Sequence, residues 1–194
     1  MKNRTLARTL HIALALTAVV GVTEIAFADD AMGGQRTVMV GGAAMYPNKN
    51  IVQNAVNSKD HMTLVAAVKA AGLVDTLSGP GPFTVFAPTN EAFDALPAGT
   101  VDTLVKPENK ATLTKILTYH VVSGRYTAAD LMGLVSKGHG KASLTTVEGE
   151  PLTVMQSGKT LEVTDAKGGV AHVTIGDVMQ SNGVIHVVDK VLMP

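Results

Sequence analysis

The hydrophobic positions change period once along the chain. From Tyr46 to about Lys137 they recur at three- and four-residue steps, and after Gly140 they alternate with polar ones. In "NIVQNAVNS" the residues Ile51, Val52, Ala55 and Val56 fall at helical spacing. In "DHMTLVAAVKAAG" Asp60 is placed to cap a helix that buries Leu64, Val65 and Val68, and Gly72 is placed to end it. "GPGPFTVF" (79–86) predicts a Pro/Gly turn leading into a short strand. Thr89 then caps a helix with Glu91 in its first turn and Ala92, Phe93 and Leu96 as its buried stripe, before Pro97 and Gly99 stop it. A further short helix starts at Thr100. Pro107 stands near the start of another, with Leu113, Ile116 and Leu117 on one face. That helix runs directly into an apolar segment, "LTYHVVSG" (117–124), read as a strand, and Thr127 caps one or two turns beyond it.

The stretch 143–175 has strand periodicity broken by Glu148-Gly149-Glu150, Ser157-Gly158 and Lys167-Gly168-Gly169, which predicts strands joined by hairpins. A last strand, "GVIHVVDKVLM", closes the chain. Helices gather in the first half and strands in the second. The pattern predicts an α+β domain with a mostly antiparallel sheet rather than alternating βαβ units.

The N-terminal 28 residues are set apart. Lys2, Arg4 and Arg8 precede the apolar run Ile12–Val22, and "AFA" (Ala26–Ala28) supplies small residues for cleavage, so residues 1–28 are expected to be a cleavable signal peptide. Residues 29–45, rich in Gly, Ala and Met, are expected to be a flexible arm, leaving 46–194 as the domain. The arm's three methionines, without a histidine, make a poor copper site. Removing a leader that carries three basic residues and Glu24 leaves 13 Lys+Arg against 15 Asp+Glu, a net charge of −2. That balance offers no basic field for nucleic acid or anionic lipid. No later segment is a candidate membrane span in the mature form. The chain has no cysteine, so an exported product builds its core from apolar burial alone.

Chemistry is thin. The G-x-G of "GPG" precedes a strand instead of following one, which excludes a dinucleotide loop. There is no G-x-S-x-G or S-x-x-K. Glu148 and Glu150 flank a turn glycine, a setting for solvated carboxylates rather than a glycosidase pair. His120 and His186 each sit in "HVV", beside a valine two residues away that shares their face in a strand. A zinc site would gather His120, His186 and His172, yet no metal-ligand spacing joins them. Buried imidazoles that must pair both nitrogens are the simpler reading. His61 and His139 are expected in solvent. No catalytic residue, cofactor or metal is assigned.

Three segments, "TVFAPTNEAFDAL" (84–96), "ILTYHVVSG" (116–124) and "NGVIHVVDKVLMP" (182–194), resemble in order and spacing the motifs of the fasciclin-like domain. The likeness covers about Tyr46 to Pro194, one copy, of the exported bacterial type. It implies a wedge- or barrel-like, mostly antiparallel sheet with several short helices packed in the N-terminal half. It also implies a non-catalytic adhesion or protein-interaction module, periplasmic or extracellular, whose partner is a protein or a cell-surface or matrix component. Tyr119 and His120 are the candidate partner-binding residues, and Thr89, Phe93, His186 and Asp189 the structural motif residues. The alternative is a carrier of an apolar small ligand such as a carotenoid, held in a groove of the same fold.

Overall fold

A computed structural model describes residues 37–194. The expected signal peptide, and residues 29–36 of the expected arm, lie outside the described residues. The remainder of that arm is not a free segment. Strands β1 (Val38–Val40) and β2 (Ala43–Met45) form an antiparallel hairpin. Val40 and Met45 are buried with the residues of the main helices. Two signals reversed the sequence reading: the strands are only three residues long, and the Gly41-Gly42 pair that suggested flexibility supplies the turn. Just beyond the hairpin, Asn54 accepts from the Tyr46 amide at 3.0 Å and donates to the Tyr46 carbonyl at 2.8 Å. The same amide group also meets the Gln180 side chain, so the hairpin's end is tied to the sheet.

Helix α1 (Ile51–Ala55) opens on an Asn50–Gln53 capping box. A 3-10 turn at Lys59–His61 leads into α2 (Met62–Ala71), which Gly72 ends in the left-handed conformation, φ 74°. Asp60 lies within the 3-10 turn and His61 takes the cap position. A short helix α3 (Val74–Ser78), too brief to show a period, precedes β3 (Phe83–Pro88). Then come α4 (Asn90–Asp94), α5 (Thr100–Leu104) and α6 (Lys110–Tyr119), followed by β4 (Val121–Ser123). Helix α7 (Ala128–Lys137) begins at a Thr127–Asp130 capping box and runs longer than the one or two turns expected. The hairpin run is β5 (Lys141–Thr145), β6 (Pro151–Ser157), β7 (Thr160–Thr164) and β8 (Val170–Gln180), and β9 (Gly183–Val188) completes the set.

The seven strands β3–β9 make one sheet in the order β4-β3-β9-β8-β7-β6-β5. All neighbours are antiparallel except β3 and β9, which run parallel from Phe83↔Gly183 to Pro88↔Val188. The two ends of this order meet. Val122 bridges Thr146, and the Val147 amide donates to the Val121 carbonyl at 2.7 Å. The sheet therefore curls into a nearly closed barrel, which removes the exposed strand edges an open sheet would leave. β3 and β9 approach so closely at their start that a Cβ on Gly183 would overlap the Phe83 carbonyl, a position only glycine fits.

Alternation along β9 divides the core in two. Ile185 and Val187 join the cluster of the hairpin, α2 and α6, while Val188 joins Phe86, Leu131, Leu152 and Val163 on the other side. All six residues of β9 are buried, as befits a strand covered on both faces.

If the hairpin is integral, Met45→Ala will cost stability like any core truncation, about 2–5 kcal/mol. Urea unfolding of the protein measures this. A change within about 0.5 kcal/mol would restore the flexible-arm reading.

Candidate functional site

The segment 116–124 crosses from helix to strand. Tyr119 is the last residue of α6 and His120 its C-cap, in the right-handed helical conformation, with β4 starting at Val121. The strand expected through Tyr119–His120 thus begins later. Two-residue alternation does not carry across the joint: Tyr119 packs with Val122 in one core, and Val121 lies in the other.

Both side chains are inside. Tyr119 is 0% exposed and His120 2% exposed, so neither of the two candidate partner-binding side chains reaches the surface. The physical reason is the barrel. Tyr119 Oη donates to the Pro151 carbonyl at 3.0 Å and accepts from the Ala166 amide at 2.9 Å. One phenol thereby ties the end of α6 to the start of β6 and to the β7–β8 turn. Burial pushes its pKa above the ordinary tyrosine value, with nearby Asp165 adding to the shift.

His120 uses both nitrogens. Nδ1 lies 2.8 Å from the Ile116 carbonyl and Nε2 lies 2.9 Å from the Leu192 amide nitrogen. A carbonyl only accepts and an amide only donates, so Nδ1 carries the proton and Nε2 the lone pair. Burial drives its pKa down to about 4, partly offset by the Ile116 carbonyl. His186 holds the second node. Its Nε2 donates to the Tyr126 carbonyl at 2.8 Å, and its Nδ1 accepts from the Asp177 amide at 3.4 Å. The ring stacks on Phe86, its partner in the β3–β9 register, at 5.8 Å between centroids. Its pKa is also lowered, chiefly by burial.

Asp177, which sequence reading missed, lies within the register shift between Ile175 and Val178 of β8, with φ 56°. Its carboxylate accepts from the Ala128 amide at 2.7 Å, fixing the start of α7. No local pattern marks a bulge residue in an alternating strand; the nearest hint is the adjacent Gly176.

The remaining motif residues are local fasteners. Thr89 caps α4 by accepting from the Ala92 amide at 3.3 Å, and Phe93 is buried in the helical core. Asp189 accepts from the His172 backbone amide at 2.7 Å and pairs with its ring at 3.1 Å. His172 is exposed and also faces Glu162 at 3.5 Å. It shares no partner with His120 or His186. Among the described residues no three His, Cys, Asp or Glu side chains are grouped to hold one ion. Glu148 and Glu150 both pair with Lys115, at 3.5 and 3.0 Å. His139 is exposed, whereas His61, expected in solvent, is buried at 3% exposure beside Ser58.

Between α1, α2, α3 and the sheet lies an apolar cavity of about 60 Å³, walled by Met45, Leu64, Val68, Leu77, Val85 and Ile185. Among the described residues no helix is long and apolar enough to cross a membrane.

A closing barrel of this order, with its helical layer, is the fold of fasciclin domains, and the sequence comparison agrees. The family profile described as "Fasciclin domain" matches residues 59–194. The chain belongs to the fasciclin domain family. It is 48% identical over 162 residues to Protein sll1483 of Synechocystis sp., covering 82% of each chain. It is 40% identical over 145 residues to Immunogenic protein MPB70 of Mycobacterium bovis, covering 72% of this chain and 66% of that one. Cell surface glycolipoprotein MPB83 of the same species is 37% identical over 160 residues, covering 80% and 64%. Among solved structures, a FAS1 domain pair from the insect cell adhesion molecule fasciclin I superposes with a TM-score of 0.68 at 20% identity. The match covers 76% of this chain and 52% of that one.

Two outcomes follow from this geometry. Tyr119→Phe leaves the Pro151 carbonyl and Ala166 amide without their partner and will cost about 1–3 kcal/mol by denaturant unfolding. An unchanged midpoint would refute the clamp. The second concerns pH. His120 binds its proton with a pKa of about 4 folded against an ordinary 6.5. Between those values the unfolded chain holds more protons, so stability falls as pH drops through the window. The slope reaches about 1.4 kcal/mol per pH unit for each such histidine, and His186 adds in the same direction. A flat profile from pH 6.5 to 4.5 would show that these rings are not buried neutral.

Proposed function

We propose that the chain is an exported, non-catalytic interaction module that binds a protein or a component of a cell surface or matrix, in the periplasm or outside the cell. Export rests on the leader-like pattern of residues 1–28. Interaction rests on family membership and on likeness to a relative named as a cell surface glycolipoprotein. The motif histidines and Tyr119 serve the barrel, so recognition falls to other side chains.

The observation that carries the reading furthest is a group of exposed apolar residues around the 3-10 turn. Met62 is 66% exposed, Met39 59% and Val56 49%. They sit on neighbouring elements, because the β1–β2 turn packs on this same segment, with the Lys59 amide donating to the Gly41 carbonyl at 3.1 Å. Such residues cost solvation in the free protein and gain when a partner covers them. Thioether side chains adapt to partners of varied shape.

The alternative reading, carriage of a carotenoid, gains no support from the cavity. Its volume of about 60 Å³ is far below the roughly 300–1,000 Å³ of ordinary small-molecule sites.

The labelled exported chain, titrated onto intact cells of its source organism, should bind saturably. Met62→Lys and Val56→Lys, checked for unchanged Tm, should each weaken binding by about tenfold, equivalent to about 1.4 kcal/mol. Non-saturable binding, or variants that bind like the parent, would overturn the proposal.

A further inference from the structure

The solvent-facing side of the sheet carries an exposed histidine bracketed by two carboxylates. His172 on β8 stands directly opposite Glu162 on β7, a cross-strand pair of the antiparallel ladder. Their chain neighbours Ala171, Leu161 and Val163 are buried, so alternation turns His172 and Glu162 outward together. On the ring's other side lies Asp189, directly after β9. The side chains of His172, Glu162 and Asp189 are 47%, 20% and 40% exposed, so an ion can reach them from solvent.

Asp189 fixes the ring. Its Oδ1 accepts from the His172 backbone amide at 2.7 Å, and its Oδ2 lies 3.1 Å from the ring Nδ1. In return the Asp189 amide donates to the His172 carbonyl at 3.2 Å. A carboxylate only accepts, so Nδ1 carries a proton, and a neutral ring then presents its lone pair at Nε2. Glu162 Oε1 lies 3.5 Å from that Nε2, beyond the roughly 2.7–3.2 Å of a hydrogen bond. That spacing suits a shared cation. Zinc takes imidazole nitrogen and carboxylate oxygen at about 2.0–2.2 Å, and two such ligands at a tetrahedral angle stand roughly 3.4 Å apart. A carboxylate on the far ring nitrogen is the usual outer support of a metal-bound histidine, because it sets the tautomer and raises basicity.

We infer that His172 Nε2 and the Glu162 carboxylate hold a divalent ion of the zinc class, with Asp189 orienting the ring from behind. The ion touches two protein side chains, not three, and water or a donor atom from outside fills its remaining positions. A nitrogen and an oxygen ligand together suit zinc-class ions, whereas magnesium and calcium take oxygen ligands. The rival arrangement is an imidazolium that pairs with both carboxylates and has no lone pair for a metal. The inference is independent of the interaction reading, which uses none of these three residues.

The test is long-range ¹H–¹⁵N NMR of the isotopically labelled, untagged protein at slightly alkaline pH, titrated with zinc chloride and separately with magnesium chloride. Zinc should shift His172 Nε2 saturably while Nδ1 keeps its proton, and magnesium should shift neither. His139, exposed and outside the cluster, should not respond over the same range. Asp189→Asn offers Nδ1 an amide donor, so it should turn the ring to the Nε2–H tautomer and weaken zinc about 10- to 100-fold. His172→Gln should abolish binding. Glu162→Gln removes a ligand without changing size and should weaken zinc at unchanged Tm, which keeps the test decisive if Asp189→Asn fails to fold. No saturable shift in the parent, an equal response of His139, or an equal effect of magnesium would overturn the inference. So would a zinc affinity indifferent to Glu162→Gln, or a His172 ring that stays doubly protonated in excess zinc.

Discussion

A buried phenol and a buried imidazole, adjacent in sequence, must each find hydrogen-bond partners inside the protein, and the partners they find hold the barrel closed. Tyr119 reaches the first residue of β6 and the β7–β8 turn; His120 reaches its own helix and the C-terminal segment at Leu192. The His120 carbonyl also accepts from the Phe86 amide of β3 at 2.9 Å. Five parts of the chain thus converge on one helix-to-strand joint. Most of these partners are backbone groups, which would otherwise be orphaned at strand ends and turns. Desolvation makes each bond obligatory, and so the joint specifies one arrangement of strands where apolar packing alone would tolerate several. His186 repeats the device on the central strand, tying the Tyr126 loop and the β8 bulge to β9.

Much of this was legible beforehand because it is local. The change of hydrophobic period marked the passage from helices to hairpins, and Thr89, Gly72 and Thr127 announced helix ends through chemistry within four residues. The division of β9 into Val188 on one side and Ile185 and Val187 on the other follows from two-residue alternation. What stayed hidden depends on contacts far along the chain. Tyr119–His120 has strand composition, yet the Leu192, Pro151 and Ala166 backbone groups, 32 to 72 residues away, fix it at a helix end. Strands of three residues are too short to declare a period, so the Gly/Ala/Met arm concealed a hairpin. His61 carries no sequence mark that separates it from the exposed His139; contacts distant in sequence bury it, Ala87 of β3 among them.

The placement of polar groups also divides labour within the domain. The aromatic and histidine side chains of the family's characteristic segments, Phe86, Phe93, Tyr119, His120 and His186, work inward. Exposed apolar side chains remain on the helical side, Met39 in β1, Val56 at the end of α1 and Met62 at the start of α2. The hairpin thus completes the core through Val40 and Met45, and its Gly41 turn packs on the backbone of Ser58–Asp60. In this chain Tyr119, His120 and His186, all within the segments that identify the family, hold the barrel together.

The claim that His120 is a neutral clamp between α6 and the C-terminal segment is tested most directly on the ring itself, by long-range ¹H–¹⁵N NMR of the protein across a pH series. The account predicts an Nδ1–H tautomer with an Nε2 that accepts a hydrogen bond, unchanged until the pH approaches about 4, together with slow exchange of the Leu192 amide. An imidazole that titrates near 6.5, shows averaged tautomers, or leaves the Leu192 amide open to solvent would contradict it.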